Sequence, residues 1–128
     1  MTQVVHNQIS GRIIDAALKV HSRLGPGVLE GAYEACLAYE LRRRGLQVDV
    51  QVPMPVRYED AVIELGYRLD LLVEKVVVVE LKAVRKLAPV HHAQLLSYLK
   101  LGNFRLGLLM NFAELHLRDG IVRLANEL

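Results

Sequence analysis

The chain has 128 residues, 52% of them apolar and 23% charged, a balance that fits one domain, 1–128, with a real hydrophobic core and excludes disordered, collagen-like and coiled-coil architectures. Its most apolar window, Leu69 to Leu81, is interrupted by Asp70, Glu74, Lys75 and Glu80, so no bilayer-spanning run and no membrane partner is expected. Sixteen basic against fourteen acidic side chains give a net charge of +2, too little to argue for nucleic-acid binding by itself.

The distribution of charge says more. Residues 1–81 hold nine Lys/Arg and eleven Asp/Glu, whereas residues 82–128 hold seven and three, so an acidic cluster is expected to face a basic region. Met-Thr-Gln-Val-Val-His-Asn-Gln at the start lacks the basic and apolar stretches of a signal peptide. Cys36 is the single cysteine and has no internal disulfide partner, in keeping with a reducing, cytoplasmic setting.

In chain order, Ile9, Ile13, Ala17, Val20 and Leu24 recur at three- and four-residue intervals, the pattern of an amphipathic helix ending at Gly25-Pro26-Gly27. A second helix carries Leu29, Tyr33, Cys36, Leu37 and Leu41 on its apolar face and ends in Arg42-Arg43-Arg44 before Gly45. The period then changes to two through Val48, Val50 and Val52 until Pro53 and Pro55. Tyr67–Val73 and Val76–Ala83 read as paired strands around Glu74-Lys75, and the four consecutive valines point to a strand covered on both faces. A third helix is expected from about Val90 to Leu101, then a strand from Arg105 to Asn111. A C-terminal hairpin, Leu115–Arg118 with Ile121–Ala125, is predicted around Asp119-Gly120. This order describes an α/β fold, a mixed sheet with helices on its faces.

Chemistry concentrates where charge enters the expected interior. In Val-Val-Val-Val-Glu80-Leu-Lys82, strand alternation puts Glu80 and Lys82 on one face. Burying them is costly without a partner or a metal, and for an isolated Glu-x-Lys an ion pair at the strand end is the commoner outcome. Asp70 interrupts the preceding strand. A two-residue loop would pair Asp70 with Val79, and a three-residue loop, Glu74-Lys75-Val76, would pair it with Glu80. The second register, with two carboxylates side by side, is the expected one. Two adjacent carboxylates without thiol or imidazole partners make a hard oxygen site that prefers Mg²⁺ or Mn²⁺, and Lys82 supplies a point charge beside it.

Glu30, in line with Glu34, Leu37 and Leu41, sits at the edge of the second helix's buried face; alone it reads as an acid complementing the helix N-terminus. Gln94 and Tyr98 are an i, i+4 polar pair on the third helix, alone a solvent-facing pair. No Cys or His spacing completes a zinc set. His21 and Cys36 read as packing residues, and Arg42–Arg44 as a solvated helix end.

Taken in order, Gly27-Val-Leu-Glu30-Gly-Ala-Tyr33, Asp70, Glu80-Leu-Lys82 and Gln94-Leu-Leu-Ser-Tyr98 resemble the GxxExxY family of the PD-(D/E)xK nuclease superfamily, over about Ile9 to Ala125. The resemblance implies a restriction-endonuclease-like core and a metal-dependent phosphodiesterase acting on nucleic acid, DNA foremost. It implies Asp70, Glu80 and Glu30 as metal ligands, Lys82 as the group that positions or activates the attacking water, and Gln94 and Tyr98 as support for the site and the substrate backbone. His92 stands where many relatives carry an acid. The rival reading is a non-catalytic nucleic-acid-binding or protein-interaction domain that keeps the fold, and a homodimer is compatible with either.

Overall fold

The computed structural model describes residues 2–128. Helix α1 (Thr2–Leu24) is longer than the sequence periodicity indicates, because its first turns before Ile9 expose Val4 and Val5 and so show no apolar repeat. It stops at Gly25, whose φ of +74° needs no Cβ and lets its amide donate to His21 O at 2.8 Å. Helix α2 (Glu30–Arg43) follows, then β1 (Val48–Pro53). A separate two-stranded hairpin, β2 (Val56–Tyr58) with β3 (Ala61–Ile63), turns at Glu59-Asp60. Strands β4 (Arg68–Val73) and β5 (Val77–Lys82), helix α3 (Pro89–Gly102), β6 (Leu106–Asn111), a 3-10 turn (Leu117–Gly120) and β7 (Ile121–Ala125) complete the chain.

The five-stranded sheet runs β1-β4-β5-β6-β7, antiparallel except for the β5–β6 pair, which is parallel and joined through α3. This is the mixed sheet flanked by helices that a restriction-endonuclease-like α/β fold requires. The expected C-terminal hairpin is corrected in one respect. Residues 117–120 coil into a 3-10 turn, and β7 pairs with β6 rather than with 115–118. Gly120 is buried, and a Cβ there would lie within 3 Å of Asn111 O and of the Glu114 side chain, so Asp119-Gly120 closes a compact turn against the end of β6.

Three of the four consecutive valines form a strand covered on both faces: Val77, Val78 and Val79 are fully buried, whereas Val76 is half-buried in the turn before β5. On one face, Leu71, Val73, Val77, Val79 and Leu81 pack with Ile13, Ala17, Tyr33, Leu37 and Leu41 of α1 and α2. On the other, Leu69, Leu72, Val78 and Leu109 pack with Leu95, Tyr98 and Leu99 of α3. Helix α3 approaches β6 closely because residue 107 is glycine; a Cβ there would lie 3.0 Å from Leu95 and 3.1 Å from Leu99. Two of the three arginines that end α2 are bonded within the fold, while Arg43 stays exposed as a solvated helix end. Arg42 donates to Val48 O at 2.8 Å, and Arg44 pairs with Glu40 at 2.8 Å. His21 is buried and bonded through Nε2 to Glu114 O, as its packing role predicts, whereas Cys36 is half-exposed between α1 and α2 rather than buried. Among the described residues no helix is long and apolar enough to cross a membrane.

Candidate active site

The turn between β4 and β5 settles the register. Val73 pairs with Val77, Leu72 with Val78 and Leu71 with Val79, so Glu74-Lys75-Val76 forms the connection and Asp70 comes level with Glu80. Across the other edge of β4, Val50 pairs with Leu71 and Val52 with Leu69, which sets Gln51 opposite Asp70. Gln51, Asp70 and Glu80 therefore form one polar row over three adjacent strands, and at this row side chains take over the bonding of the backbone. The Asp70 amide donates to Glu80 Oε2 at 2.7 Å, and the Leu81 amide donates to Asp70 Oδ2 at 2.8 Å. Gln51 has a positive φ of 53°, and its amide nitrogen donates to Asp70 Oδ1 at 3.2 Å and to Glu34 Oε2 at 2.9 Å. Each carboxylate thus satisfies an amide that a regular ladder would give to a carbonyl.

Helix α2 reaches this row through its first turn. Tyr33 is fully buried, and its hydroxyl donates to Gly25 O while accepting the Val28 amide, which fixes the chain entering the helix and places Glu30 as its first residue. The Tyr33 ring also lies 4.5 Å from that of Phe112. Phe112 in turn donates its amide to Lys82 O at 2.8 Å. Next to it, the fully buried Asn111 accepts the Val84 amide at 3.0 Å and donates to Val84 O at 2.8 Å. The backbone on both sides of Ala83 is thereby pinned, while the half-buried Lys82 side chain makes no ion pair among the described residues.

Helix α3 closes the opposite side. Tyr98 is only 6% exposed, accepts the Gln94 amide at 3.1 Å, and packs beside Tyr67 with ring centroids 6.1 Å apart. The pair expected to face solvent is thus half in the core: Gln94 is exposed, Tyr98 is not.

Electrostatically the site is short of positive charge. Burial, reinforced by the Asp70 carboxylate, pushes the Glu80 carboxyl up to about 8, despite the opposing pull of the Asp70 amide and Lys82. Desolvation, then Asp70, also raises Glu30, with Lys82 and the Ala83 amide acting against it. Glu34 is raised by desolvation as well, partly offset by Gln51. Burial first, and Glu80 second, raise the Tyr98 hydroxyl. Such a set of oxygen donors, one of them holding a proton at neutral pH, fits a hard divalent cation that would displace that proton. Among the described residues no group of three or more His, Cys, Asp or Glu side chains is already gathered closely enough to hold an ion alone.

The six residues singled out from sequence lie in one region: Asp70 and Glu80 each accept an amide from the other's strand, Glu30, Lys82 and Tyr98 lie in their electrostatic field, and Gln94 bonds Tyr98. Three further residues were not singled out. Glu34 had a signal, its i+4 spacing from Glu30. Gln51 lay in a Val-x-Val alternation that marks it only as facing away from the valines, and Asn111 ended an apolar run with nothing to show that its side chain turns back on the chain.

The model of the PD-(D/E)XK nuclease superfamily matches residues 7–124, from the first turns of α1 to the end of β7. No curated protein and no solved structure matches the chain.

Proposed function

Because the chain belongs to the PD-(D/E)XK nuclease superfamily, we propose that it is a divalent-metal-dependent phosphodiesterase that hydrolyses nucleic acid, DNA foremost. The single observation that supports this most is the Asp70–Glu80 pair: two carboxylates brought level on adjacent strands, one of them buried and proton-holding, with an unpaired lysine two residues along the same strand. Asp70 and Glu80 are the ligands we assign, with Glu30 completing the set and Mg²⁺ the ion, Mn²⁺ its substitute. Mg²⁺ commonly takes one or two protein carboxylates and fills its remaining positions with water and phosphate oxygens, so two level carboxylates suffice. When bound, such an ion polarises a phosphate and makes water a better nucleophile.

The protein's own groups do the rest. Lys82, held by a backbone pinned at Phe112 and Asn111, offers its ammonium to the charge that develops on the phosphate and orients the attacking water. Gln51 keeps Asp70 aimed by spanning it and Glu34. Tyr98, backed by Gln94, walls the site on the α3 side and presents a hydroxyl toward the substrate backbone.

The test is cleavage of labelled single- and double-stranded DNA with Mg²⁺ and with Mn²⁺, comparing the parent with Lys82→Ala and Asp70→Asn. Each variant is expected to lose activity by about a thousandfold, the scale of removing a preorganised electrostatic group, with its thermal transition retained. Full activity in either variant sinks the mechanism. Binding without products under both metals favours a domain that keeps the fold and only binds.

A further inference from the structure

Tyr67 has no part in the scheme above, yet it stands at the site. It lies three residues before Asp70, at the point where the β2–β3 hairpin rejoins the sheet, and 44% of its surface is open to solvent. Its ring packs beside that of Tyr98, centroids 6.1 Å apart, and Tyr98 lies in the field of Glu80. An aromatic ring that is held from one side and open on the other, within one side chain of two paired carboxylates, is a surface for a flat apolar partner. The charge around it indicates what that partner is attached to. Arg68 is exposed and its guanidinium makes only a long 3.3 Å bond to Gln51 O. Lys82 makes no ion pair among the described residues, and Arg85 and Lys86 are exposed in the loop that follows it. An open ring on a molecule that carries these exposed cations at the start of β4 and after β5 matches a base joined to phosphates.

We propose that Tyr67 stacks on an unpaired base next to the scissile phosphate, and that the substrate is therefore single-stranded or locally unpaired nucleic acid. Within a duplex both faces of a base are already stacked on its neighbours, so the open face of the Tyr67 ring has nothing to bind there; an unpaired base offers a free π-face. The inference deepens the phosphodiesterase reading and rests on it for the position of the phosphate, but its binding test does not require cleavage.

The experiment measures binding of labelled oligo-dT, oligo-rU and a blunt DNA duplex in EDTA by fluorescence anisotropy, using the parent, Tyr67→Leu and Tyr67→Phe. Leucine retains an apolar contact with Tyr98 and removes the π-face; phenylalanine keeps the face. The chain contains no tryptophan, so tyrosine emission gives a second readout. The expected result is strand binding tighter than duplex binding in the parent, a loss of about tenfold or more for strands in Tyr67→Leu, and retention in Tyr67→Phe. Quenching of tyrosine emission by the strand should be smaller in Tyr67→Leu. The ratio of dT to rU affinities separates DNA from RNA as the source of the base. Strand binding equal in parent and Tyr67→Leu, an equal loss on duplex and strand, or no strand binding by the parent overturns the proposal. Strand binding through Tyr67 with no cleavage under any metal removes the nuclease reading, and with it the scissile phosphate, and leaves only the stacking on an unpaired base standing; cleavage indifferent to Tyr67 and to strandedness does the reverse.

Discussion

Glu80 departs furthest from its behaviour in water. It is 5% exposed and faces Asp70, Glu30, Lys82 and Tyr98, with its carboxyl raised from 4.5 to about 8. Between those two values the folded protein holds a proton that the unfolded chain releases, so its contribution to stability is complete below pH 4.5 and is lost as pH rises through 8. Glu80→Gln, whose amide oxygen can still accept the Asp70 N–H, is therefore expected to leave stability at pH 4.5 nearly unchanged and to raise it at pH 8, by about 2 kcal/mol or more in metal-free buffer. Urea melts of both proteins across that range check this; parallel curves would show that the carboxyl ionises freely in the fold. At this scale the sequence was informative wherever charge broke an apolar run, as at Asp70 and Glu80. It was uninformative for Gln51 and Asn111, because their roles depend on backbone geometry, a left-handed φ and a returning loop, that no residue pattern announces.

Helices and strands were legible where periodicity is strong. Val77–Val79 of β5, Tyr33, Leu37 and Leu41 on the buried face of α2 and the Gly25-Pro26-Gly27 break lie where the pattern puts them, whereas Leu29, expected on that face, precedes α2 and is 83% exposed. The β2–β3 hairpin was missed as a pair because all of β3 is exposed and most of β2 as well, leaving no inward face to alternate with an outward one. The 3-10 turn at Leu117–Gly120 displaced an expected strand because Asp-Gly serves a tight helical turn as readily as a hairpin. The α3–β6 contact carries a consequence for the site. Gly107→Val inserts bulk where Leu95 and Leu99 already sit 3.0 and 3.1 Å from a Cβ, and is expected to destabilise the protein by about 2 kcal/mol. Since α3 also carries Tyr98 and Gln94, activity should fall further than the unfolded fraction accounts for. Comparing the drop in kcat at a temperature where the variant remains folded with its shift in Tm tests this; full kcat in a destabilised variant would show that α3 can move without disturbing Tyr98.

Over the whole molecule, every candidate residue lies between positions 30 and 98, yet the support for Lys82 comes from 111 and 112. Strand β6 pairs with β5 from Val77 to Lys82, and Phe112 and Asn111 hold the chain immediately after it. A chain ending at Gly102 keeps all six side chains and loses that scaffold. It is expected to show no cooperative melt by circular dichroism and no hydrolysis under either metal; a folded, active fragment would show that the β5–β6 pairing is dispensable. During translation the parallel partner of β5 is made only after residue 106. A ribosome-bound nascent chain therefore carries the acids and the lysine, from the making of Lys82 to that of Phe112, without the strand that aims them, and the geometry of the site arrives only with the final fifth of the polypeptide.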